Sequence, residues 1–215
     1  MRVYFISGLG ADKTVFQLLD LQYCEPVFID WITPFKHETL QQYALRLKKE
    51  KGMEDDAIIV GLSFGGMLAT EIAKAFPKAR IIILSSAKTK NEIPALYRVG
   101  NYVPMYQWLP NGLQKYFMRS YEKMFGVTST QGKEIYQALI KNADISFNNW
   151  AVWALLHWDN MQVPTNVVHV HGTNDKILYY KNVHCDITVA NGGHLMVMEQ
   201  AAEISAMLKK LILKD

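Results

Sequence analysis

The stretch AIIVGLSFGGMLATEIAKAFP, residues 57–77, sets a serine among glycines where an apolar run gives way to a helical pattern. Ala57 to Leu62 read as a strand buried on both faces, and Gly66 to Phe76 as a helix that Pro77 stops. Between them, Gly61-Leu62-Ser63-Phe64-Gly65 fits the pattern G-x-S-x-G in the strand-to-helix setting that pattern requires. On so tight a turn, side chains at 61 and 65 would collide with the neighbouring strand and helix. Ser63 then stands at a helix N-terminus, where free N–H groups and the helix dipole favour developing negative charge. A plain N-cap serine on a glycine-rich turn is the competing explanation, so the rest of the chain has to decide.

The strand-then-helix unit recurs outward from this point. RVYFIS (2–7) leads through GLGAD into KTVFQLLDL (13–21), whose apolar spacing predicts a helix. PVFIDWI (26–32) precedes HETLQQYALRLKKEKG (37–52), with Leu40, Tyr43, Ala44 and Leu47 on one helical face and Gly52 as its stop. RIIILSSA (80–87), TNVVHVHGTND (165–175) and CDITVANGGH (185–194) add strands, and EQAAEISAMLKKLI (199–212) closes the chain as a helix. This alternation predicts a doubly wound α/β fold with a mostly parallel sheet of about six strands. Residues 88–160 show no clear strand and are expected to form a helical cap inserted into a core made of 1–87 and 161–215. Within it, Pro94, Pro104 and Pro110 should separate short helices, with Asn111-Gly112 as a turn.

A serine hydroxyl needs a base, and the base needs an anion that fixes its tautomer. Asp175 falls in the loop after the strand NVVHV, and His194 in the loop after DITVA. Three strands thereby deliver Ser63, Asp175 and His194 to one edge of the sheet, in the order Ser, acid, His. Asp144 and Asp159 are rival carboxylates but follow no clear strand. His169 and His171 alternate onto one strand face; no suitably spaced partners make them a metal site, and His171 is expected to support the acid loop.

With GLSFGG, HGTND and GGH in place, the chain resembles the α/β-hydrolase family from residue 2 to about 212. The resemblance implies the α/β-hydrolase fold, Ser63 as nucleophile, His194 as general base and acid, and Asp175 as the orienting carboxylate. It also puts SGLGAD in the place of the family's oxyanion loop, which assigns the backbone N–H groups of Leu9 and Phe64 to the oxyanion. Two departures stand out. Ser7 occupies a position where many members carry histidine, and the family's two leading strands are missing before residue 2.

The implied activity is hydrolysis of a small or medium carboxylic ester or thioester, without cofactor or metal. An acyltransferase or lyase using the same three residues, and a non-catalytic binding protein on the same scaffold, are the alternatives. Four of the five tryptophans, Trp108, Trp150, Trp153 and Trp158, lie in the insertion. Trp108, Trp150 and Trp153 are candidate substrate-pocket residues, although each could instead pack the cap onto the body. The net charge of +3 arises from 23 basic and 20 acidic residues without a basic stripe, so nucleic acid is not an expected partner. No stretch reaches the roughly 20 apolar residues of a membrane span. Two unpatterned cysteines, Cys24 and Cys185, and the lack of a leader pattern suggest a reducing, cytoplasmic setting.

Overall fold

Side chains alternate across each strand, so a strand covered on both sides must be apolar at every position. In the computed structural model, which describes residues 1–97 and 109–214, Val60 and Leu62 join one apolar cluster while Ile59 joins the other. Val3 and Phe5 likewise oppose Tyr4 and Ile6. The strands are β1 (Arg2–Ile6), β2 (Glu25–Ile29), β3 (Ile58–Leu62), β4 (Arg80–Leu84), β5 (Val167–Gly172) and β6 (Ile187–Val189). They form one sheet in the order β2-β1-β3-β4-β5-β6, parallel throughout. The chain order reverses direction between β1 and β3, the switch point where open α/β sheets leave a crevice.

Helices cover both faces. Helix α1 (Leu40–Glu50) begins at a reciprocal cap: the Thr39 side chain accepts from the Gln42 N–H, and the Gln42 side chain accepts from the Thr39 N–H. Helix α2 (Phe64–Ala75) is buried from Phe64 to Ala73 and packs against α1 over the cluster that holds Ile59. Between β4 and β5 the chain forms α3 (Asn111–Ser120), α4 (Thr130–Asn142) and α5 (Ile145–Leu156); after β6 come the short α6 (Met196–Glu199) and α7 (Ala201–Ile212).

Two local expectations fail. KTVFQLLDL makes only a 3-10 turn, Lys13–Phe16, capped by Asp12 through the Thr14 N–H. Val15, Phe16 and Leu19 are buried on one side, and Phe16 meets Phe5 edge-on at 5.4 Å, but the Val15, Gln17 and Leu19 N–H groups each return to the carbonyl three residues back, which winds tight turns in place of an α-helix. Asn111-Gly112 opens α3 instead of turning, because Pro110 precedes them and its carbonyl accepts from the Leu113 and Gln114 N–H groups. Pro104 lies outside the described residues.

Glu71, buried within α2, is held by two donors: Lys74 Nζ at 2.7 Å and the indole N–H of Trp158 at 2.7 Å. Trp158 thereby ties the chain leaving α5 to the central helix. Trp158→Phe deprives a buried carboxylate of a donor, a loss of about 2 kcal/mol for a hydrogen bond to a charged group, to which the smaller ring adds lost packing. Urea melts should show that loss as a lower midpoint with an unchanged slope.

Candidate active site

Ser63 is the single residue between β3 and α2, and its backbone takes φ 52° and ψ −118°. A non-glycine residue there is strained by about 1–3 kcal/mol and persists only when its surroundings dictate it. They do so from three sides. The Ser63 N–H donates to the Leu84 carbonyl at 2.9 Å, and the Ser63 carbonyl accepts from Ser86 Oγ at 2.7 Å and from the Gly66 N–H at 2.9 Å. A Cβ on Gly65 would strike the carbonyl oxygens of Ile6 and Ser7, and one on Gly61 would strike the Gly65–Gly66 backbone. Both glycines are therefore fixed by close approach.

The strained turn aims the Ser63 hydroxyl at the loop after β6, where His194 Nε2 lies 2.8 Å from Oγ. His194 Nδ1 lies 2.8 Å from Asp175 Oδ2, in the loop after β5. The three residues predicted to share one sheet edge are brought together. A carboxylate accepts only, so Nδ1 carries the proton and Nε2 presents its lone pair to the hydroxyl.

Asp175 is 4 % exposed, yet both its oxygens are satisfied. Oδ1 accepts from the Ile177 and Leu178 N–H groups at 2.8 and 2.9 Å. Burial alone would raise its pKa; charge interaction and hydrogen bonding with His194, the nearby His171 and these N–H groups outweigh it and hold the carboxyl below its ordinary value. His171 Nε2 stands 2.8 Å from the Leu178 carbonyl and 3.4 Å from Asp175 Oδ2. A carbonyl only accepts, so a neutral His171 is protonated at Nε2, and its Nδ1 takes the Nε2–H of His169 at 3.0 Å. The two rings back the acid loop, as expected of His171. Among the described residues, no group of three or more His, Cys, Asp or Glu side chains is placed to hold a metal ion.

The loop after β1 faces Ser63. Ser7, at the position where histidine is common, donates through Oγ to the Ala11 carbonyl at 2.9 Å. The Trp31 indole donates to the same carbonyl at 3.0 Å, and the Ala11 N–H closes the turn on Gly8 at 3.0 Å. A hydroxyl and an indole thus brace the loop that carries Leu9.

Above these loops lies a cavity of about 560 Å³, reached by Ser63 and His194 and walled by Leu9, Phe117, Met118, Tyr121, Leu139 and Val152 among others. The aromatic walls come from α3, the turn after it and Tyr136 of α4. Phe125 in that turn stands edge-on to the His194 ring at 5.5 Å, and its carbonyl accepts from the Leu195 N–H at 3.0 Å.

The tryptophan candidates are placed elsewhere. Trp150 donates its indole N–H to the Glu38 carbonyl at 3.0 Å and packs on Tyr43, while Trp153 stacks on His157 at 4.5 Å. Neither borders the cavity over Ser63. Trp108 lies outside the described residues. The rival Asp144 caps α5 through the Ser146 and Phe147 N–H groups. Sequence reasoning missed Phe117, Met118, Tyr121 and Asn148 as cavity residues. The first three share the i, i+1, i+4 spacing of one helical face, which is the signal that could have found them; Asn148 carried no sequence signal.

His169 and His171 are fully buried, and burial depresses both; His169 is pushed down to about 2, with the adjacent His171 ring adding to the effect. Unfolded, a histidine takes up a proton below its ordinary value near 6.5. The unfolded chain therefore binds more protons than the native one between that value and the native pKa, and stability must fall as pH falls through this window. For His169 the slope is about 1.4 kcal/mol per pH unit. Urea titrations at pH 7, 6 and 5 should show this decline, and His169→Gln should flatten it.

The comparisons with known proteins agree with this architecture. A sequence profile of the alpha/beta hydrolase family matches residues 3–207. No curated protein sequence matches. Solved structures that superpose include a thermophilic esterase from Thermogutta terrifontis, with TM-score 0.76 and 16% identity, covering 100% of this chain and 90% of that one. An esterase from Exiguobacterium antarcticum gives TM-score 0.70 at 13% identity, over 97% and 90% of the two chains. A bromoperoxidase from Bacillus anthracis gives 0.72 at 12% identity, over 100% and 92%. At such identities the structural neighbours carry the fold alone, but a family profile matched over nearly the whole length, on a sheet of this topology, carries more: the chain belongs to the alpha/beta hydrolase family.

Proposed function

We propose that the protein hydrolyses carboxylic esters or thioesters of small to medium size through an acyl-enzyme on Ser63. The observation that carries this reading is the unbroken chain of contacts from Ser63 Oγ to His194 and on to Asp175, each link 2.8 Å, at the floor of an apolar cavity. In this mechanism His194 Nε2 takes the hydroxyl proton as Oγ attacks the carbonyl carbon. Asp175 stabilises the imidazolium that results. The backbone N–H groups of Leu9 and Phe64 receive the oxyanion, on a loop whose bracing by Ser7 and Trp31 limits reorganisation during the reaction. His194 then protonates the leaving alcohol or thiol, activates a water, and returns the proton to Ser63 as the acid departs.

Residues 88–160 act as the cap in this reading. Their helices α3 and α4 supply the apolar wall, which suits an acyl chain and restricts bulk water around the acyl-enzyme. Among the described residues no helix is long and apolar enough to cross a membrane. With Cys24 and Cys185 both free, we place the enzyme in the cytoplasm, acting on small molecules.

The first test is intact mass after exposure to a fluorophosphonate. One adduct is expected on the native chain and none on Ser63→Ala or His194→Ala; equal labelling of Ser63→Ala would refute the nucleophile. Asp175→Asn tests the third member by a different route. Its amide donates to Nδ1, forcing the His194 proton onto Nε2, where it faces the serine; kcat for ester hydrolysis should fall about 10⁴-fold with the fold retained.

A further inference from the structure

Asn148 sits in α5 at 5 % exposure and borders the cavity above Ser63, yet among the described residues neither its Oδ1 nor its Nδ2 has a hydrogen-bond partner. Buried amides are nearly always paired, so an amide with both groups unmet beside a cavity marks a place where a ligand supplies the partner. Its position is not accidental slack in the helix. On one side Phe147 stacks on Trp31 at 4.7 Å, and a turn away Trp150 is hydrogen-bonded to the Glu38 carbonyl, which together fix the rotation of α5.

The amide and the nucleophile border the same cavity and the same loop. A Cβ built on Gly10 would come within 3.3 Å of Nδ2 and 3.8 Å of Oδ1, while one on Gly8 would come within 3.3 Å of Ser63 Cβ. Gly8 and Gly10 are two residues apart, hence separated by at most about 7 Å. Ser63 and Asn148 thus flank the same short loop and border the same cavity, so a substrate whose carbonyl is at Ser63 extends through space that Asn148 borders. The cavity walls are mostly aliphatic and aromatic; Gln114 and Asn149 also border it, and Asn148 is the lining amide whose two polar atoms are both buried and unpaired among the described residues.

We propose that Asn148 is a specificity residue that recognises a neutral hydroxyl carried by the ester or thioester substrate near its reacting carbonyl. This rests on the serine-hydrolase reading above. A hydroxyl is the small group that donates to Oδ1 and accepts from Nδ2 at once; a trans secondary amide meets only one of the two, and an alkyl chain meets neither. A site built to hydrogen-bond a substrate disfavours the analogue that lacks the group, because its own buried polar atoms are then left unpaired.

The test compares kcat/KM for two matched pairs of esters by pH-stat. Methyl 3-hydroxyhexanoate, as each enantiomer, is set against methyl hexanoate, and 2-hydroxyethyl hexanoate against propyl hexanoate; the first pair places the hydroxyl on the acyl side, the second on the alcohol side. In the native protein one hydroxy ester is expected to exceed its plain counterpart, and Asn148→Leu, of similar volume, should collapse that ratio about tenfold, the worth of a good hydrogen bond. Asn148→Asp, which keeps the acceptors and loses the donors, should also lower it and serves if the leucine variant does not fold. Thermal melting should place Asn148→Leu at or above the native Tm, since it removes two unpaired polar atoms from the interior. Ratios equal in native and variant proteins for both pairs overturn the proposal, as does an equal loss on all esters, which would put Asn148 at the oxyanion. No turnover of any ester, with no fluorophosphonate adduct on Ser63, overturns the hydrolase reading and this inference with it.

Discussion

The structure depends on the backbone of one residue. Ser63 is held at φ 52° by its hydrogen bonds to Leu84 and Ser86, and the turn exists only because Gly61 and Gly65 let β1, β3 and α2 approach backbone to backbone. Strain of this size is a measurable share of a domain's net stability, which is typically 5–15 kcal/mol. It is offset by the burial of α2, apolar nearly all round and enclosed between α1, the sheet and the chain leaving α5. The arrangement that raises the serine hydroxyl above the sheet is thus maintained by the densest part of the core.

That constraint propagates to the loops. The Ile6 and Ser7 carbonyls limit how close α2 can come, so the loop after β1 is located by the same contact that forms the serine turn. On the far side, β5 and β6 deliver Asp175 and His194 in register, and the buried His171–His169 pair fills the space behind the carboxylate with rings that stay neutral. A charged group there would compete for the Asp175 oxygens. Neutral imidazoles supply directional donors without drawing the carboxylate away from His194, at the cost of acid sensitivity in the fold.

How legible this was in the sequence varies with the kind of interaction. β1 and β3 are found within one or two residues of expectation, because strands buried on both faces leave long apolar runs bounded by turns, while β4 starts at Arg80 as expected and ends three residues early, at Leu84. The placement of Ser63, Asp175 and His194 at one sheet edge was legible because each lies in the turn or loop after a strand, and a parallel sheet brings the ends of its strands to the same edge. KTVFQLLDL was misread because an apolar face over so few residues does not distinguish hydrogen bonds that return three residues from those that return four. β2 ends at Ile29, since Trp31 turns inward to the loop after β1 and its indole N–H meets the Ala11 carbonyl.

The insertion shows the limit of composition. Among the described residues, aromatic side chains of this segment do line the cavity, but they are Phe117, Tyr121, Phe125 and Tyr136 and not Trp150 or Trp153. The large indoles carry a donor that must be paired when buried, and Trp150 and Trp158 meet acceptors in the body, at Glu38 and Glu71. Tryptophan therefore serves as the fastener between insertion and core, and the side chains left to face the cavity are those with no such obligation. Asn148 runs against that logic: it is a polar side chain placed on the cavity side of a helix whose rotation those fasteners fix. The same rigidity that holds α5 in place keeps Asn148 at the edge of the cavity, where among the described residues its two buried hydrogen-bonding groups find no partner.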